Sequence, residues 1–202
     1  MNFKPIVVAS GSAIRKQLLE GAGLTVEVVP ARIDERAIEA KLAASSPEMT
    51  VIDMAVELAL QKAMEVSERR PGALVIGCDQ MLEHDGDVLH KAANRDEARA
   101  KLKRLRGQTH FLKSGMVLIK DGLKLYKCEA IAELTMWDFS DAFLENYLDR
   151  AGVAVTRSVG AYELEGLGAQ LFHAIDGDYF TILGLPVLPL LDMLRRERAI
   201  PS

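Results

Sequence analysis

The sequence predicts an α/β or α+β layered fold in which a mixed central sheet is flanked by helices and split into two lobes around a groove. Three observations predict it. Short apolar runs alternate along the chain with longer segments whose apolar residues recur at helical spacing. The 202 residues are 49% hydrophobic and 27% charged, which suits a sizeable core and not a disordered chain. No internal repeat, low-complexity tract or linker interrupts the pattern, so a single domain is expected over residues 1–202.

Each element follows in order. PIVVAS (5–10) is a short apolar strand, and GSAIRKQLLEGAGL supplies a glycine turn and a helix with Leu18, Leu19 and Ala22 at helical spacing, stopped at Gly21 and Gly23. TVEVVP (25–30) reads as a second strand. SPEMTVIDMAVELALQKAMEVSERRPG predicts a long helix with Ser46 as N-cap, Pro47 in its first position and an end at Pro71-Gly72. ALVIGCDQ (73–80) opens as a buried strand without polar alternation, and Gly77 and Cys78 deliver Asp79 to its end. HDGD (84–87) signals a hairpin. NRDEARAKLKRLRG is a helix with Asn94 and Glu97 in capping-box spacing, Leu102 and Leu105 inward and Gly107 as terminator. Two strands flank Asp121-Gly122, a helix runs from Ser140 to Gly152, and a last strand, a turn at Asp176-Gly177 and a closing helix complete the chain.

Composition also excludes. A net charge of −4 and a pI near 5.6 give no overall basic field, so a sequence-independent nucleic-acid binder is disfavoured and any anionic ligand must be held locally. Cys78 and Cys128 have neither CxxC nor metal-ligand spacing and fit the reduced thiols of a cytosolic protein. The start of the chain has no charged leader with an apolar stretch and cleavage site, and no run reaches membrane-spanning length, so cytoplasmic residence without a membrane partner is expected.

Several residues could carry chemistry. A carboxylate such as Asp79 at the end of a core strand is costly unless paired, although a strand-end cap or turn residue is the plainer reading. Ser12 follows Gly11 where a strand hands over to a helix, and Arg15 comes one turn later. Free N–H groups at a helix start and a nearby guanidinium make an anion cradle, or else a serine cap and a surface arginine. Lys62 falls in register with Val51, Ala55, Leu58 and Ala59 on the inward face of the long helix, where it either snorkels outward or meets a negative group. Asp34-Glu35 could bind a cation or decorate a loop. The hairpin returns Lys91 toward Asp79. A two-residue turn at Asp85-Gly86 would set them on opposite faces and a three-residue bulged turn on the same face, and the bulged form is expected. His84, His90, His110 and His173 show no metal spacing, so Mg²⁺ or Mn²⁺ with phosphate suits the set better than zinc. Together these residues fit hydrolysis of a phosphate anhydride.

The pattern resembles the Maf family of nucleoside triphosphate pyrophosphatases over nearly the full chain. The pieces are ASGSAIRKQLLEGAG near the start, ARIDE at 31–35, LALQKA at 58–63, VIGCDQ at 75–80, HKA at 90–92, and GAYELEGLGAQLF with IDGDYFTILGLPV toward the end. The resemblance implies a two-lobed α/β fold with a nucleotide-binding cleft, and divalent-metal-assisted cleavage of a nucleoside triphosphate substrate to monophosphate and pyrophosphate. It also implies a homodimer. Ser12 and Arg15 match the family's Ser-x-x-Arg phosphate motif, Glu35 its metal-binding acid, Lys62 and Lys91 its phosphate lysines, and Asp79 its general base and a second metal ligand. The chain departs from many relatives with Ala13-Ile14 after the serine and with Ala92 after the cleft lysine.

Members that prefer dTTP and UTP tend to carry Asp-Thr where this chain has Asp79-Gln80, and glutamine where it has Glu165. The sequence resembles instead the branch associated with 7-methyl-GTP. An ionised Glu165 accepts hydrogen bonds only, which suits the adjacent N1–H and amino donors of guanine, and its charge suits a methylated cationic base. Ile14, Gln80 and Glu165 form the expected specificity trio. A dTTP or UTP pyrophosphatase, or a non-catalytic nucleotide-sensing regulator of cell division, is the alternative.

Overall fold

The computed structural model describes residues 4–201. The first apolar run forms β1 (Ile6–Val8), the Gly-Ser turn leads into α1 (Ala13–Gly21), and β2 (Glu27–Val28) returns to the sheet. Helices α2 (Glu35–Ser45) and α3 (Val51–Arg69) precede β3 (Leu74–His84), whose hairpin partner is β4 (Asp87–Leu89). Helix α4 (Arg95–Leu105), strands β5 (Thr109–Lys120) and β6 (Leu123–Met136) and helix α5 (Asp141–Ala151) follow. Two 3₁₀ segments, Gly152–Thr156 and Leu167–Leu171, lead to β7 (Phe172–Asp176), α6 (Tyr179–Ile182) and α7 (Val187–Arg196). The hydrogen-bonded strand order is β2-β1-β3-β5-β6-β7, with β4 on β3. The β1 pairs are parallel, while β3-β4 and β6-β7 are antiparallel, which makes the sheet mixed as the sequence predicts.

Local chemistry explains most element ends. Asn94 accepts a hydrogen bond from Glu97 N at 2.9 Å and Ser140 one from Phe143 N at 3.2 Å, so α4 and α5 begin at their expected caps. Asp121 and Gly122 both have positive φ, 48° and 77°, as a two-residue hairpin turn requires.

Several expectations need correction. The N-cap of α3 is Thr50, because Thr50 and Asp53 satisfy each other's backbone donors reciprocally, while Ser46 instead ends α2. Helix α2 falls where the sequence suggests a loop; Asp34 caps it by accepting from Ala37 N at 3.0 Å, and it buries no residue, so it has no apolar stripe to read. Asp79 lies in the middle of β3, not at a strand end, since Gly77 continues the ladder. The hairpin is regular: His84 pairs with Asp87 and Leu82 with Leu89, with Asp85 and Gly86 at φ of 53° and 80°. This is the Asp-Gly turn whose twist matches its strands. The expected bulge is absent, which removes the argument that set Asp79 and Lys91 on one face. The second strand also shrinks to two residues, and Gly184 (φ 98°) separates the closing helix into α6 and α7.

The chain forms two compact units. The first takes the chain up to Gln80, Ser114–Ala130 and the chain from Gly184; the second takes Met81–Lys113 and Ile131–Leu183. In the first, Val56, Ala59, Ala63 and Val66 of α3 share a buried cluster with Val7, Val75, Val117 and Ile119. A Cβ on Gly77 would stand 2.1 Å from the Ala59 carbonyl oxygen, and one on Gly115 would stand 2.4 Å from Val56 N. Alanines on the helix and glycines on the strands therefore bring backbones into direct contact. No helix among the described residues is long and apolar enough to cross a membrane.

The second unit packs Leu82, Leu102, Leu134, Leu148, Tyr162 and Phe172 in one cluster. His110 is fully buried there, 2.7 Å from the Tyr162 hydroxyl. Burial, with a smaller contribution from His84, pushes its pKa down to about 3. The unfolded value is about 6.5, so between the two the unfolded chain binds more protons and stability falls as pH drops through that window. Urea unfolding at about pH 7 and about pH 4.5 should show a smaller acid loss for His110→Gln than for the parent. Equal losses would assign the acid sensitivity to other groups.

Candidate active site

The site is assembled in the first unit at the end of β1. Ser10 and Gly11 leave the strand, Ser12 is the N-cap residue of α1, and a cleft of about 200 Å³ is lined there by Ala9, Ser10, Gly11, Pro30, Ala31, Glu35 and Lys62. Lys62 does not snorkel. Only 6% exposed, its Nζ lies 2.5 Å from Asp79 Oδ1 and 2.9 Å from Glu35 Oε2. Asp79 is 8% exposed, so its pairing with an ammonium offsets a desolvation that would otherwise be costly. The two carboxylates come from different elements, Glu35 from the first turn of α2 and Asp79 from β3, and both pair with the lysine of α3.

Arg15 is buried and its donors are mostly committed. Nε donates to the Gly184 carbonyl at 2.8 Å, while Nη1 donates to the Cys78 carbonyl at 2.8 Å and to Ser10 Oγ at 3.0 Å. It is therefore not the surface arginine of the plainer reading. Ser12 makes no side-chain cap hydrogen bond, and its backbone N–H donates to Ser10 Oγ at 3.2 Å. Ile14 is half-buried on the first turn of α1. Gln80, next to Asp79, donates from Nε2 to Ser114 Oγ at 3.1 Å. Cys78 lies buried against the Gly184 carbonyl, 3.1 Å away, and burial pushes its thiol up, away from the thiolate.

Two site residues went unread in the sequence. Ser10 joins Arg15 to the start of α1, yet in ASGS only the second serine stands at the helix entry. Glu39 lies one helical turn beyond Glu35; burial holds its carboxyl above the usual range, and the charges of Glu35 and Asp79 add to this while Arg36 and Lys62 oppose it. Recognising Asp34 as a helix cap would have placed Glu35 and Glu39 on one face.

Lys91 and Glu165 belong to the second unit. Lys91 is exposed, two residues past the end of β4, and the carbonyl of the preceding His90 accepts from Lys101, which also donates to the Val159 carbonyl at 2.7 Å. Glu165 is exposed in the turn before Leu167–Leu171, which the Gly166 N–H closes onto the Glu163 carbonyl at 3.1 Å.

Among the described residues no three His, Cys, Asp or Glu side chains converge as a metal cage. The pair Glu35 and Asp79 nevertheless fits Mg²⁺ or Mn²⁺, because both supply hard oxygen donors already directed at one cation, the Lys62 ammonium. Such ions are commonly held by one or two carboxylates, with phosphate and water completing the shell.

A mixed-sheet α/β protein with a glycine-serine helix entry beside paired carboxylates and a buried lysine has the equipment to bind a phosphate-bearing ligand. Residues 5–197 match the family model described as Maf-like protein, and the chain belongs to the Maf family. It is 50% identical over 194 residues to the nucleoside triphosphate pyrophosphatase of Nitrobacter winogradskyi, covering 96% of this chain and 94% of that one. It is 52% identical over 197 residues to the 7-methyl-GTP pyrophosphatase of Mesorhizobium japonicum, covering 96% and 97%. The 7-methyl-GTP pyrophosphatase of Brucella abortus is 48% identical over 195 residues, with 96% and 97% covered.

Proposed function

We propose that this chain is a cytoplasmic nucleoside triphosphate pyrophosphatase, using Mg²⁺ or Mn²⁺ and favouring 7-methyl-GTP, that removes modified nucleotides before they reach nucleic acid. The observation that carries the reading is the Glu35–Lys62–Asp79 cluster, of which Glu35 and Lys62 line the cleft beside the entry to α1 and Asp79 lies against Lys62. Relatives named for this activity, aligned over nearly the whole chain, support it.

In the reaction a water oxygen attacks the α-phosphorus, the bond from that phosphorus to the bridging oxygen breaks, and pyrophosphate leaves. Asp79 takes the proton of the attacking water. Glu35 and Asp79 would hold the metal, which would supply neutralisation of charge on the phosphates and the leaving group. Ser12 and the N–H groups at the start of α1 receive phosphate oxygens, and Lys62, Lys91 and Arg15 provide positive charge. Arg15 does so from a guanidinium that also ties Ser10, Cys78 and Gly184 together. Glu165, with Ile14 and Gln80, selects the base.

The test is to incubate purified protein and metal with 7-methyl-GTP, GTP, UTP and dTTP and to measure pyrophosphate against orthophosphate. Pyrophosphate release with 7-methyl-GTP ahead is expected. Glu165→Gln should erode that preference by about 10-fold, the value of one charged hydrogen-bonding group of about 1.5 kcal/mol. Preference of the parent for UTP or dTTP would keep the enzyme and overturn the role of Glu165. No turnover on any of the four would shift the reading to a nucleotide-sensing regulator.

A further inference from the structure

The cleft contains a cation of the protein's own. Lys62 Nζ lies 2.5 Å from Asp79 Oδ1 and 2.9 Å from Glu35 Oε2, the two carboxylates assigned above to a divalent metal. A lysine ammonium is a compact point charge, and a dication brought to the same oxygens would stand within a few ångströms of it. Repulsion at that range is strong where solvent screens little, and the lysine is buried. Ammonium and metal therefore compete for one place. We propose that Lys62 is a displaceable internal counter-ion: it keeps divalent metal from Glu35 and Asp79 until nucleotide arrives, and the triphosphate opens the site by drawing the ammonium onto its own oxygens. This inference rests on the reading of Glu35 and Asp79 as metal ligands.

The geometry supplies a route for the exchange. Lys62 lines the same cleft as Ser10 and Gly11, so its ammonium already borders the place where phosphates would meet the start of α1. The move needs rotation about an unbranched four-carbon stem and no shift of α3, which backbone contact at Gly77 and Gly115 holds against the strands. Linkage then makes the effect reciprocal: whatever factor nucleotide adds to metal affinity, metal adds to nucleotide affinity. Metal alone binds weakly, and the pair binds together.

The experiment titrates Mn²⁺ into nucleotide-free protein and follows free Mn²⁺ by its electron paramagnetic resonance signal. It is repeated with a triphosphate analogue whose α,β bridge is a methylene group, correcting for Mn²⁺ held by the analogue in solution. The parent should bind Mn²⁺ weakly alone and at least about 10-fold more tightly with the analogue. Lys62→Met should bind Mn²⁺ alone at least about 10-fold more tightly than the parent and should gain little from the analogue. Lys62→Gln provides a second variant of similar length, and circular dichroism checks the fold of both. If the folded variants bind Mn²⁺ no better than the parent, the lysine does not exclude the metal and the proposal is overturned. The parent comparison needs no substitution, and an affinity indifferent to the analogue overturns the proposal equally. Adding Glu35→Gln to Lys62→Met separates the two levels of the argument. Loss of the gained affinity supports the competition, whereas its persistence places the metal elsewhere and sinks the assignment of Glu35, with this inference.

Discussion

Asp79→Asn is expected to lower pyrophosphate release by about 10²–10⁴-fold, the contribution of a positioned general base. The substitution keeps size and an acceptor oxygen for Lys62, but removes the charge proposed to serve both as base and as metal ligand. Removing one partner of a buried pair costs about 3–5 kcal/mol when the other is left alone. Glu35 remains 2.9 Å from Lys62 Nζ, so the loss here should fall below that range. Turnover, binding of the α,β-methylene analogue and thermal unfolding, measured together, distinguish the causes. A folded variant that retains the analogue and releases no pyrophosphate is the expected outcome, and undiminished turnover would remove Asp79 from the mechanism.

Gly77→Ala should be the most destabilising single-methyl change on β3. Its Cβ would lie 2.1 Å from the Ala59 carbonyl oxygen and 2.8 Å from Ala63 Cβ, and neither a backbone atom nor a methyl can rotate away. Overpacking costs about 1–3 kcal/mol where side chains can adjust, so about 3 kcal/mol or more is expected here. The urea midpoint should fall without a change in slope. The consequence reaches the site, because the relief available is a shift of α3 away from β3, and Lys62 rides on α3 while Asp79 stands two residues beyond Gly77. Activity per folded molecule should therefore fall too. An unchanged midpoint would mean that helix and strand are not in backbone contact.

Lys62 shows what the sequence could deliver. Its helical register with Val51, Ala55 and Leu58 places it inward, and the structure finds it there, among acids. Strong caps were legible for the same reason: Asn94 with Glu97, and Ser140, act through neighbours three residues away. At the start of α3, two cap patterns lie four residues apart, and only the reciprocal bonds of Thr50 and Asp53 decide between them. Helix α2 buries nothing, so periodicity had nothing to report, and Glu39 was missed with it. The hairpin at Asp85-Gly86 was legible as a turn, but its regular register was not the bulged one expected. The pairing of Arg15 with Gly184 spans 169 residues, a distance at which no local pattern carries information.

That long span bears on how the protein comes into being on the ribosome. The second unit is encoded by Met81–Lys113 and Ile131–Leu183, whereas the first needs chain from Gly184 onward. Glu35, Lys62 and Asp79 are all synthesised early, yet the Gly184 carbonyl that receives Arg15 Nε and stands against the Cys78 thiol is made more than a hundred residues later. A nascent chain arrested before that point has the acids and the lysine but not the clasp that fixes Ser10 and Cys78 around them. Competence thus waits for translation of the segment from Gly184, and products terminated before it should be inert toward nucleoside triphosphates.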